Sequence, residues 1–154
     1  MRGKKAQKKI VKPDILYGNV NLEKFINKLM MHGKKSIARR IMYNALDEAS
    51  SELKMEPLEL FNKIIENISP SVEVKSRRLG GTNYQVPIPV SPDRQVTLSV
   101  RWLIKSARDR KGIPMEKRLY KEFIDAYNNT GGAAKKKTDI EKMAESNRAF
   151  SHLA

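Results

Sequence analysis

Apolar residues along this chain recur at helical spacing five or six times, and the recurrence is interrupted once by an alternation of period two. From Asn21, the residues Leu22, Phe25, Ile26, Leu29 and Met30 fall on one face of a helix, and Gly33 supplies a stop. Ser36 is placed to cap a second helix, whose stripe runs through Ala38, Ile41, Met42, Ala45, Leu46, Ala49 and Leu53. Pro57 suits the first turn of a third, with Leu58, Phe61, Ile64, Ile65 and Ile68, closed before Pro70. A fourth follows Pro92 and carries Val96, Val100, Leu103, Ile104 and Ala107 toward Gly112. Pro114 opens a fifth, with Met115, Leu119, Phe123 and Tyr127. The stretch NNTGGAAKKK reads as a break. The helix after it begins either at Ala133 or later, at a capping box of Thr138 and Glu141. Its apolar residues (Ile140, Met143, Ala144, Phe150) make only a weak stripe.

The interruption lies between Val72 and Val90, VEVKSRRLGGTNYQVPIPV. Val72, Val74 and Ser76 alternate with Glu73, Lys75 and Arg77, and on the return Tyr84, Val86, Ile88 and Val90 alternate with Gln85, Pro87 and Pro89. Gly80 and Gly81 permit the positive φ angles of a tight hairpin connection. The prolines cannot donate to a ladder, so the second strand keeps an unpaired edge. A lone two-stranded ribbon is marginal in water. Its base is therefore expected to pack on helices and its tip to project toward a partner, with Lys75, Arg77 and Arg78 facing away from Val72, Val74 and Val86. The fold class is mainly α. One helical domain of five to six helices occupies residues 13–154, with a protruding β-hairpin at 72–90, and residues 1–12 form a flexible basic arm.

At 154 residues the chain can bury a core as a single domain. Aromatic residues are only 6%, so that core is aliphatic, with seven methionines as filler. The absence of cysteine excludes disulfides and thiolate metal sites. Charge changes the picture more. Lys plus Arg total 31 against 17 Asp plus Glu, a formal +14, and a polyanionic partner would relieve the self-repulsion of so basic a compact chain. Residues 75–111 hold nine basic side chains and two acidic ones, Asp93 and Asp109. No apolar run approaches the ~18 residues of a membrane span, and the N-terminus has no apolar signal core, so nucleic acid is favoured over a membrane. His32 and His152 are far apart in sequence and there is no thiol nucleophile, so neither an enzyme nor a cofactor is expected. GKKS at 33–36 falls short of a phosphate-binding loop, which needs a glycine where Lys28 stands and a strand where a helix is predicted.

VEVKSRRLGGTNYQVP followed by RWLIKSAR closely resembles the signature of the small-subunit ribosomal protein S-seven family. KFINKLMMHGKKSIA (24–38) and KKKTDIEKMAESNRAFSHL (135–153) agree with it, so the resemblance spans nearly the whole chain in order. The C-terminal stretch resembles the bacterial and organellar type. With no transit peptide before the arm, the resemblance favours a bacterial cytoplasmic ribosome over a plastid one. It implies direct binding to small-subunit ribosomal RNA and nucleation of the subunit head. It also implies a position near the exit-site transfer RNA and the messenger RNA path, and small-subunit proteins nine and eleven as neighbours.

The RNA-binding candidates follow from both readings. Arg2, Lys4, Lys5, Lys8 and Lys9 lie on the arm, which has no stripe to bury and is suited to neutralising phosphates. Lys34 and Lys35 follow the first helix. Lys75, Arg77 and Arg78 lie on the hairpin, where arginines can grip phosphate bidentately or stack on a base. Arg94, Arg101, Arg108, Arg110 and Lys111 extend the basic region along the fourth helix and past its end. Trp102 falls off that helix's stripe and is expected either to stack on an unpaired base or to cover the hairpin base. A DNA-binding architecture would instead place its charge on a recognition helix. A protein adaptor would leave the +14 unexplained.

Overall fold

The computed structural model describes residue 3 and residues 10–153. The arm candidates Arg2, Lys4, Lys5, Lys8 and Lys9 therefore lie outside the described residues. The rest follows the order α1 (Val20–Leu29), α2 (Lys35–Leu53), α3 (Pro57–Ile68), β1 (Val72–Leu79), β2 (Thr82–Pro89), α4 (Pro92–Asp109), α5 (Met115–Tyr127) and α6 (Gly131–Ser146). A 3-10 segment, Arg148–Leu153, closes the chain.

Local chemistry explains most of the boundaries. Asn19, in extended conformation, accepts hydrogen bonds from the backbone N–H groups of Asn21 (2.8 Å) and Leu22 (3.0 Å), satisfying donors that α1 cannot pair internally. Pro57 and Pro92 open α3 and α4, where a missing N–H costs nothing. Ser36 is not the cap of α2, which begins one residue earlier with no side-chain cap. The core joins α1 to α5. Phe25 on α1 meets Phe61 of α3 and Phe123 of α5 edge to face, at centroid distances of 6.0 and 5.9 Å.

α4 packs on α1, α3, α5 and α6 at once, so its buried arc is wider than one stripe. Leu98, Val100, Trp102, Leu103, Ile104 and Ala107 are all buried. The expectation that Trp102 stacks on RNA is corrected by this geometry. At 6% exposure its ring belongs to the hydrophobic core and has no face to offer a base.

Of the two starts expected for α6, the structure lies close to the earlier one, Ala133. The Thr138–Glu141 box is not used: the helix begins at Gly131, and the Thr138 hydroxyl donates back to the Ala134 carbonyl at 3.2 Å. Gly131 takes φ +81°, and a Cβ on Gly132 would sit 2.6 Å from the Ser106 hydroxyl oxygen. The glycine pair is thus what lets this helix end close against α4 and α5. Its Ala133 N–H is capped from outside, by the Glu122 carboxylate of α5 at 3.0 Å. The helix packs firmly, with Ala133, Ala134 and Ala144 buried.

Asp14 anchors the approach to α1. Its buried carboxylate accepts from the N–H groups of Leu16 and Tyr17 and from the Tyr43 hydroxyl at 2.5 Å. Burial alone would raise the Asp14 pKa, but the hydrogen bond from Tyr43 and those from the backbone outweigh it and hold the group below 3.8. Burial and the same bond push the Tyr43 phenol up to about 12. A carboxylate with a lowered folded pKa contributes stability above its unfolded value of about 3.9, lost as pH falls through the folded value. Chemical denaturation from pH 7 to pH ~2.5 should show that acid loss in the wild type and a smaller one in Asp14→Asn.

Candidate nucleic-acid interface

β1 and β2 pair antiparallel from Val72↔Pro89 to Leu79↔Thr82. Gly80 (φ +56°) and Gly81 (φ +88°) form the two-residue connection, both left-handed as a type I′ turn requires. A Cβ on either would meet nothing within 4 Å, so the need is conformational and not steric. Eight residues per strand give a ribbon roughly 26 Å long at about 3.3 Å per residue. From Lys75 to Gln85 every side chain except the half-buried Tyr84 is exposed.

The register corrects the expected faces. Cross-strand partners share a side of the ribbon, and Lys75 pairs with Val86 and Arg77 with Tyr84. Lys75 and Arg77 therefore share a face with Val86, which is fully buried, while Arg78 lies on the opposite face with its partner Asn83. Tyr84 also meets Phe150 of the C-terminal 3-10 segment at 5.3 Å between centroids. The Arg77 guanidinium donates to the Leu153 carbonyl at 2.7 Å. Val86 and Ala144 are buried apolar residues outside the main core cluster, on two elements that pack together where the ribbon meets α6.

Several predicted cations are held by carboxylates of the fold. Arg94 donates Nε and Nη2 to Glu73 Oε2 at 3.3 and 3.1 Å, tying the first turn of α4 to the ribbon's root, and Lys75 Nζ lies 3.3 Å from the same carboxylate. Arg110 forks onto Glu122 Oε2 at 3.1 and 2.7 Å and also binds Asp125. Lys35 turns inward to the buried Glu23, which also has Arg39 at 3.6 Å. Arg94, Arg110 and Lys35 are thereby fixed first as structural ions.

Lys34 and Lys35 part company because His32 (φ 51°) and Gly33 (φ 72°) turn the chain sharply between α1 and α2. Lys34 is left exposed. Arg108 donates Nη2 to the Leu29 carbonyl at 3.2 Å, capping the C-terminal end of α1 from α4. Across this junction Lys28, Arg101, Lys105 and Arg108 line one groove with Ile104, and Asp109 is its single carboxylate. The four basic residues are all exposed. Lys111 is exposed just beyond α4.

Lys28 and Lys105 were not among the predicted ligands. Lys105 was legible: Arg101, Lys105 and Arg108 stand at i, i+4 and i+7, one stripe of a helix. Lys28 was not, because only the packing of α1 on α4 brings it there. Four cations beside one carboxylate give the groove a net positive charge. Among the described residues no cluster of three or more His, Cys, Asp or Glu could hold a metal, and no helix is long and apolar enough to cross a membrane.

Comparison with known proteins identifies the family. The family model for ribosomal protein S7p/S5e matches residues 1–148. The small ribosomal subunit protein uS7 of Herpetosiphon aurantiacus is 48% identical over 153 residues, covering 99% of this chain and 98% of that protein. Its counterpart in Petrotoga mobilis is 50% identical over 153 residues, covering 99% of each chain. The counterpart in Chloroflexus aggregans is 53% identical over 147 residues, covering 96% of this chain and 94% of its own.

Proposed function

The chain belongs to the ribosomal protein S7p/S5e family, a structural family of the small ribosomal subunit and not a family of enzymes, and from that premise we propose that it binds the subunit's ribosomal RNA directly. The observation that carries this reading is the α1–α4 groove, where four cations face solvent with one acidic neighbour. Phosphates entering it would release counterions, and the exposed Lys34, Arg78 and Lys111 extend the same anion-binding character along the surface. Lys75 and Arg77 add to it from the ribbon. Arg2, Lys4, Lys5, Lys8 and Lys9 of the arm are the further phosphate ligands in this reading.

The layout suits folded RNA better than duplex DNA. Its cations are spread over a groove between two helices, a turn and a ribbon, and irregular RNA presents phosphates at such varied angles. In the proposed role the protein nucleates the head of the small subunit, close to the exit-site transfer RNA and the messenger RNA path. Small-subunit proteins nine and eleven are its protein neighbours there, and the ribosome is that of a bacterial cytoplasm.

Competition binding tests the reading. Small-subunit ribosomal RNA should displace a labelled RNA fragment at far lower concentration than duplex DNA of equal length, and the protein should stay with small subunits through a moderate salt wash. Equal competition by the DNA, or loss from the subunits in the wash, would contradict it.

A further inference from the structure

Next to the cationic groove lies a second depression of opposite character. Met30, Met31, Ile37 and Met115 line a cavity of about 340 Å³, within the size range of small-ligand sites, and its two charged lining residues are Lys34 and Arg108. Met31 and Ile37 are 58% and 43% exposed, so both side chains can reach a ligand from solvent. Arg108 lines both this cavity and the groove, and its bond to the Leu29 carbonyl fixes the guanidinium between them.

A ligand filling both must carry an apolar part directly beside an anionic part. A nucleotide does so at every step of a strand. We propose that this methionine-lined cavity receives one unstacked base of the bound RNA, while the phosphates flanking that base lie on Lys34 and Arg108. The inference rests on the RNA-binding reading and deepens it. Methionine thioethers are polarizable and adaptable, so they can cover the face of any base without demanding one hydrogen-bonding edge. Unpaired, splayed-out bases are what proteins commonly take from folded RNA. An apolar side chain from a neighbouring protein would satisfy the methionines but leave Lys34 and Arg108 without an anion.

Missing-base interference tests this directly. Small-subunit ribosomal RNA carrying random single abasic sites is partitioned by the wild-type protein and by the double variant Met31→Gln/Ile37→Asn, whose altered side chains are exposed enough for the fold to tolerate them. Wild-type protein should reject RNA lacking the base at one or two positions, and the variant should not make that distinction. On intact RNA the variant should bind about fivefold to tenfold more weakly, with an unchanged salt dependence because no phosphate contact is removed. The same abasic pattern for both proteins, or wild-type affinity in the variant, would overturn the proposal. So would a variant that binds RNA normally but fails to recruit a neighbouring protein to the subunit, since the cavity would then be a protein socket. If the wild type itself does not bind intact RNA, the RNA-binding reading fails first.

Discussion

Replacing Lys28, Arg101 and Lys105 together by alanine should weaken binding to small-subunit ribosomal RNA on the order of 100-fold and leave thermal melting nearly unchanged. Each is exposed, and together they supply three of the four cations of the α1–α4 groove. A solvent-exposed ion pair contributes up to about 1 kcal/mol, so three lost contacts amount to about 3 kcal/mol at most, or on the order of 100-fold. Surface substitutions of this kind typically move stability by within about 0.5 kcal/mol, and removing neighbouring like charges relieves some repulsion. Arg108 is best left in place, because its bond to the Leu29 carbonyl makes it part of the fold. Titration of labelled RNA alongside a melting curve separates the two effects. A variant that melts early, or that binds as the wild type does, would remove the groove from the interface.

Glu122→Ala should be the most damaging single change among the polar residues of the fold, at about 3 kcal/mol. The Glu122 side chain is 1% exposed, accepts both hydrogen bonds of the Arg110 fork and caps the Ala133 N–H at the start of α6. Removing it leaves Arg110 with Asp125 alone and one buried N–H without a partner. Breaking a fully buried ion pair costs about 3–5 kcal/mol, and the lower end applies because the Arg110 side chain is 30% exposed. In a chain of this length that is a fall of roughly 10 °C in melting temperature. Glu122→Gln keeps an acceptor for Ala133 and should lose less. Arg110→Gln should likewise register in the melting curve before it registers in RNA affinity. If Arg110→Gln melts normally and binds RNA poorly, this arginine is an RNA ligand after all.

The first five helices were legible because each carries a well-spaced stripe, and the starts of two, at Pro57 and Pro92, are written in single residues. What failed depended on partners distant in sequence. Trp102 lies off its helix's main stripe, yet α4 is central and is covered on several sides, so an off-stripe position is still core. The glycines at 131 and 132 look like a break, and only the close approach of Ser106 and Asp125 explains them as the opening of a helix. Alternation assigned each strand two faces, but which face of β1 matches which face of β2 is set by the register, so Lys75 came to lie beside Val86. For the site, composition reported that an anion is wanted. Arg94, Arg110 and Lys35 could not be known to be engaged until Glu73, Glu122 and Glu23 were folded next to them.

The central claim is that exposed cations of this surface hold RNA phosphates, and the salt dependence of binding measures it most directly. Affinity for small-subunit ribosomal RNA, taken from ~50 to ~300 mM salt, should fall steeply for the wild type, because each neutralised phosphate adds roughly 0.7 to 0.9 to the log–log slope. For the Lys28/Arg101/Lys105 alanine variant the slope should be shallower by about two to three. A wild-type slope near zero, or equal slopes for the two proteins, would contradict the account.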